Sequence, residues 1–131
     1  MDAHQENTAM VDGQIKPLSN ISPNILEALY GIDRKDYTPV ELKKFSYIEK
    51  NILIGKNRYL PKAAITAKLL SALEIENTET ILIISSTMGY SAALASKIAE
   101  TVICIEQDTE LLNLSEKIAI ENSMNNIVFI K

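Results

Sequence analysis

Tryptophan is absent from the 131 residues, which also hold one cysteine, one histidine, four glycines and two phenylalanines. Each scarcity excludes something. A lone Cys104 cannot form an internal disulfide and accords with a reducing compartment; its setting in "TVICIE" reads as a packing position rather than a reactive thiol. With His4 as the single histidine, in a polar N-terminal stretch, there is no His/Cys cluster of metal-ligand spacing and no Ser/His/Asp or Cys/His set. Five Tyr and two Phe offer few faces for stacking nucleobases. The net charge of −4 and pI near 5.0 lack the basic footprint of a nucleic-acid binder. No apolar stretch approaches the ~20 residues of a membrane span. The opening "MDAHQENTAMVDGQIKP" lacks the basic and apolar segments of a signal peptide. These exclusions lead to the expectation of a cytoplasmic protein without metal, nucleic-acid or membrane partners. The apolar fraction of 47% and one domain's worth of chain suffice for a core.

What is present is organised mainly in the second half. The first 20 residues are polar and weakly patterned. In "SPNILEALYG" (22–31), Ser22 suits a cap, Pro23 the first helical position and Gly31 the end, with Ile25 and Leu29 on one face. Residues 32–51 are charged and interrupted by Pro39, which predicts short helical or irregular pieces. "NILIGKNRYL" (51–60) reads as a short extended segment around Gly55 and Asn57. "PKAAITAKLLSALEI" predicts a helix with Ile65, Leu69, Ala72 and Leu73 as its apolar stripe, and Lys62 and Lys68 turned away. "TILII" (80–84) is a continuous apolar run rich in β-branched residues, the pattern of a strand buried on both faces. "MGYSAALASKIAE" reads as a helix, "TVICIE" (101–106) as a second strand, 108–123 as a helix capped by Asp108, and "NNIVFIK" (125–131) as a turn and third strand. Alternation with short connections predicts an α/β fold with right-handed crossovers and a Rossmann-like parallel sheet, its first three strands in the order 3-2-1. The expected division is an N-terminal helical cap, 1–60, and a partial cofactor-binding domain, 61–131.

In such a sheet a ligand lies where the first strand turns into its helix. Glycines there permit positive φ and close approach of backbone N–H groups. Here the turn is Ser85-Ser86-Thr87-Met88-Gly89-Tyr90, with one glycine. It fails the dinucleotide pattern G-x-G-x-x-G, and fits G-x-G-x-G only if Ser85 and Thr87 replace the first two glycines. A left-handed non-glycine residue costs ~1–2 kcal/mol, and β-branched Thr87 is the worst suited. Glu106, 21 residues after Ser85 at the tip of the second strand, has the spacing of an acid that takes ribose hydroxyls. Two readings remain open at this point: a working cradle, or a relaxed strand-to-helix connection with a solvated strand-end carboxylate.

Taken together and in order, these segments resemble the protein-L-isoaspartate O-methyltransferase family. The resemblance runs through "MVDGQIKP", "DRKDYTP" with Arg34 and Pro39, "YIEKNILIGKNRYL", "ILIISSTMGYSAAL" matched at Gly89, Tyr90 and Ala93, and "VICIEQD". It implies S-adenosylmethionine as cofactor and a protein or peptide carrying an isoaspartyl residue as methyl acceptor. By the same resemblance, Ser85, Ser86, Thr87, Gly89, Tyr90, Glu106 and Gln107 would hold the cofactor, and Arg58, Tyr59 and Leu60 would lie in the substrate-side loop. Ser85 and Thr87 stand where the family has glycines, and Ile83 where it often has an acid. The family's sheet has further strands beyond the third, which leaves the 80–84 strand with an open edge and predicts pairing or self-association there. Three functions follow as alternatives: a protein carboxyl methyltransferase-like domain whose incompleteness puts its activity in question; a non-catalytic interaction module on half of that fold; and a methyltransferase of the same fold with another acceptor.

Overall fold

The computed structural model describes residues 2–131. The chain forms two compact units, one ending at Glu74 and one spanning Ile75–Lys131.

The first unit begins with a capping box. Asp2 Oδ1 accepts from the Gln5 N–H (2.9 Å) and Gln5 Oε1 accepts from the Asp2 N–H (3.2 Å), starting α1 (Ala3–Met10). The helix widens into a π-turn, Val11–Ile15, where the Lys16 N–H reaches the Val11 carbonyl at 2.9 Å. That widening brings consecutive Met10 and Val11, and then Ile15, into the core, a pattern hidden from a regular helical period. In α2 (Pro23–Gly31), Ile25 and Leu29 are buried as the spacing predicts. Ser22 does not cap with its side chain; its N–H instead donates to Ser71 Oγ at 3.0 Å. Short 3₁₀ turns at Arg34–Tyr37 and Val40–Phe45 follow. Buried Arg34 donates to backbone, its Nε to the Ser46 carbonyl (2.9 Å) and its Nη2 to the Pro61 carbonyl (2.7 Å). A hairpin, β1 (Ile52–Gly55) with β2 (Arg58–Leu60), turns at Asn57 with φ of 54°.

In α3 (Ala63–Ala72) the predicted stripe is corrected. The buried face is Ala63, Ala64, Thr66, Ala67, Leu70 and Ser71, whereas Ile65, Leu69 and Leu73 are exposed. Small side chains let a helix approach its neighbours closely. The larger aliphatic residues of the adjacent stripe are left outward.

The second unit is a three-stranded parallel sheet of β3 (Thr80–Ile84), β4 (Thr101–Ile105) and β5 (Ile127–Ile130), with β4 central. The helices α4 (Tyr90–Ser96) and α5 (Thr109–Glu121) provide the crossovers. Asp108 caps α5 as expected, its Oδ1 accepting from the Leu111 N–H at 3.0 Å. Because the strands lie in sequential order, right-handed crossovers place both helices on the same face. That face carries Ile81, Val102 and Ile127 in one row and Ile83, Cys104 and Phe129 in the next. The opposite rows are Leu82, Ile103, Val128 and Ile84, Ile105, Ile130. Burial of β3 on both faces is therefore corrected: Leu82 is 56% and Ile84 70% exposed. Among the described residues no helix is long and apolar enough to cross a membrane.

Candidate functional site

The β3–α4 turn continues the sheet for one residue more, the Ser85 N–H donating to the Ile105 carbonyl at 2.8 Å. The backbone then alternates: Ser85, Thr87 and Gly89 are left-handed, with φ of 64°, 54° and 89°. These are the three positions at which a G-x-G-x-G turn places glycine. The Gly89 N–H closes on the Ser86 carbonyl at 2.9 Å, and the Gly89 carbonyl accepts the first bond of α4 from Ala93 (2.9 Å). A Cβ built on Gly89 would meet Ser115 Cβ and Oγ at 3.5 Å, an ordinary contact, so glycine is required there by its dihedral rather than by space. The turn follows the path of a glycine-rich cradle although two of its three glycine positions carry side chains.

Glu106 follows the last residue of β4 and is fully buried, with 0% exposure. Its Oε1 accepts from the Thr87 N–H at 3.0 Å and its Oε2 from the Asp108 N–H at 2.9 Å. One carboxylate thus ties the β3–α4 turn to the β4–α5 turn, through charge-assisted bonds that are stronger than neutral ones. A solvated strand-end carboxylate is not what the fold contains. Gln107, next in sequence, is exposed. Ser115 of α5 was not singled out by any sequence signal; its Oγ lies 3.0 Å from the Thr87 carbonyl and 2.8 Å from the Leu111 carbonyl. Below the turn, burial pushes the Cys104 thiol up to about 11, with a smaller opposing pull from the Ser86 hydroxyl. This inert thiol agrees with its reading as a packing residue. Among the described residues no group of His, Cys, Asp and Glu could hold a metal ion.

A protein-family model described as Protein-L-isoaspartate(D-aspartate) O-methyltransferase (PCMT) matches residues 5–131. The chain belongs to that family. A protein-L-isoaspartate O-methyltransferase of Syntrophus aciditrophicus (strain SB) is 31% identical over 119 residues, which are 90% of this chain and 55% of that one. Another, from Petrotoga mobilis (strain DSM 10674 / SJ95), is 27% identical over 128 residues, 98% and 60% of the two chains. The chain therefore spans a little over half the length of these relatives. Among solved structures, a Plasmodium falciparum chain assigned to the same enzyme, in complex with S-adenosyl-L-homocysteine, superposes with a TM-score of 0.76 at 16% identity. It covers 99% of this chain and 62% of its own. The α/β Rossmann-like fold of the isoaspartate methyltransferases is thus the fold here.

The expected site residues of this family member divide between the units. Ser85, Ser86, Thr87, Gly89, Tyr90, Glu106 and Gln107 all lie at the C-terminal ends of β3 and β4 in the second unit, and the parallel sheet brings them together. Ser85 and Gln107 are exposed, Thr87 is half-buried, and Ser86, Gly89 and Tyr90 are buried. Arg58, Tyr59 and Leu60 form β2 of the first unit; Tyr59 is exposed, whereas Leu60 is buried.

Proposed function

We propose that this chain binds S-adenosylmethionine over the Ser85–Tyr90 turn and serves methyl transfer to the carboxylate of an isoaspartyl residue in a protein or peptide. The observation that carries this reading is the left-handed backbone at Ser85, Thr87 and Gly89, kept although threonine and serine are costly there. The path is the one a G-x-G-x-G cofactor turn takes with glycine at these positions. Bound there, S-adenosylmethionine supplies an electrophilic methyl group. The acceptor is a carboxylate with pKa ~4, ionised at neutral pH, so the chain need provide no general base. Its residues work by positioning the reacting atoms. The backbone of 85–89 lies beneath the cofactor and exposed Gln107 borders it. Glu106 fits a ribose contact less directly, because no part of it is accessible while it holds Thr87 and Asp108. Contact with a ribose hydroxyl therefore requires the turn to open above it. A cytoplasmic setting and independence of metal belong to the same proposal.

Transfer of labelled methyl from S-adenosylmethionine to an isoaspartyl peptide, with the aspartyl peptide as control, tests it. Labelling confined to the isoaspartyl peptide supports the reading; labelling of a different acceptor class redirects it to another methyltransferase, and binding without transfer confines it to the cofactor.

A second reading is favoured by one observation. The sheet face bearing Leu82, Ile84, Val128 and Ile130 is exposed, and β3 is an edge strand. An apolar edge of this kind pairs with further polypeptide. Self-association through residues 80–84 makes the chain an interaction module, and light scattering across a concentration series decides between a monomer and a pairing chain.

A further inference from the structure

We propose that Ser115 is a positioning residue for the cofactor turn, closing with Glu106 a two-sided clamp that fixes the Thr87 peptide in its left-handed conformation. The inference deepens the cofactor reading above and rests on it for its functional consequence.

Three residues of the turn are left-handed, and they are held differently. Gly89 adopts the conformation freely. Ser85 is anchored by its sheet bond to Ile105. Thr87 has neither advantage: it is β-branched, lies one residue beyond the last backbone bond to β4 (Ser86 N–H to the Ile105 carbonyl, 3.4 Å), and carries φ of 54°. Instead, both sides of its backbone are gripped by side chains of the following β–α unit. Its N–H donates to Glu106 Oε1 (3.0 Å), from the end of β4, and its carbonyl accepts from Ser115 Oγ (3.0 Å), from the second turn of α5. Both gripping residues are buried, Glu106 completely and Ser115 nearly so. The single Ser115 proton is shared between the Thr87 and Leu111 carbonyls, so the hydroxyl bridges its own helix to the turn. Where glycine would give the path at no cost, this chain reaches it by external restraint.

The test is a double-mutant cycle on the full chain: wild type, Ser115→Ala, Thr87→Gly and the double variant. Affinity for S-adenosylhomocysteine is measured by calorimetry, and exchange of the residue-87 amide by NMR. Loss of one net hydrogen bond predicts that Ser115→Ala weakens binding about three- to tenfold and raises exchange at residue 87 by a similar factor. In the Thr87→Gly background the same change should alter affinity less than about twofold, because glycine needs no clamp. Equal weakening in both backgrounds would show a merely structural serine and overturn the proposal. Should the wild type bind no S-adenosylhomocysteine, the cofactor reading falls, and the amide decides the clamp separately. Faster exchange in Ser115→Ala upholds it, and unchanged exchange refutes it.

Discussion

Replacing Glu106 with glutamine changes almost nothing in shape and removes one acceptor. In the native arrangement two backbone donors, Thr87 N–H and Asp108 N–H, face the two oxygens at 3.0 and 2.9 Å. A glutamine can present its carbonyl to one of them, and then its NH₂ confronts the other, donor against donor. With the residue wholly buried, water cannot repair the mismatch. An unmatched buried donor costs about 1–3 kcal/mol. The surviving bond, no longer charge-assisted, loses about 1 kcal/mol more. Glutamine is cheaper to bury than a carboxylate, which returns part of this. A net loss of about 2 kcal/mol is expected for Glu106→Gln, seen as a fall of about 1 M in the urea midpoint. Amide exchange localises it: residue 87 or 108 should lose protection while the β4–β5 amides of the sheet keep theirs relative to global unfolding. The same variant should bind S-adenosylhomocysteine more weakly. An unshifted midpoint with both amides still protected would refute the assignment of Glu106 as the tie between the two turns.

Ser85→Gly removes a left-handed residue whose side chain is exposed; relief of ~1–2 kcal/mol of backbone strain, less the greater entropy of unfolded glycine, predicts stabilisation of about 0.5–1 kcal/mol in denaturant titration. Cys104 should resist alkylation by iodoacetamide in the folded chain at pH 8. Its folded pKa, about 11, lies above its ordinary value near 9.0, so its contribution to stability is complete below pH 9 and is lost as pH rises towards 11. Alkaline unfolding followed by circular dichroism should show a shallower slope between pH 9 and 10 in Cys104→Ala than in the wild type, while the half-buried Tyr47 hydroxyl keeps a slope above pH 10 in both. Ile84→Lys, on the open sheet face, should change stability by less than about 0.5 kcal/mol while reducing any concentration-dependent association seen in light scattering.

The parallel sheet was legible because β-branched runs, short connections and capping residues such as Asp108 all act over a few residues. The exposure of Leu82 and Ile84 was not, because an apolar run reports what a strand is suited to pack against and not whether a partner is present in the chain. The exposed Ile65, Leu69 and Leu73 of α3 misled for a related reason: alanine-rich faces score weakly in any apolar pattern yet pack most closely. At the site, the spacing from Ser85 to Glu106 singled out a carboxylate that the structure joins to the turn through Thr87. Its engagement with Thr87 and Asp108 could not be read, since it depends on which backbone donors the two turns bring inward. Ser115 carried no signal of its own: a single serine within a helix declares nothing until the turn opposite it is known.

Central to the proposed function is the turn of residues 85–90 as a cofactor seat. Titrating the isotopically labelled full chain with S-adenosylhomocysteine, while following backbone amide resonances, addresses that directly. Saturable shifts centred on Ser85 to Tyr90 and on Glu106 and Gln107 are predicted. Saturable binding that leaves those resonances in place, or no binding at all, would contradict it.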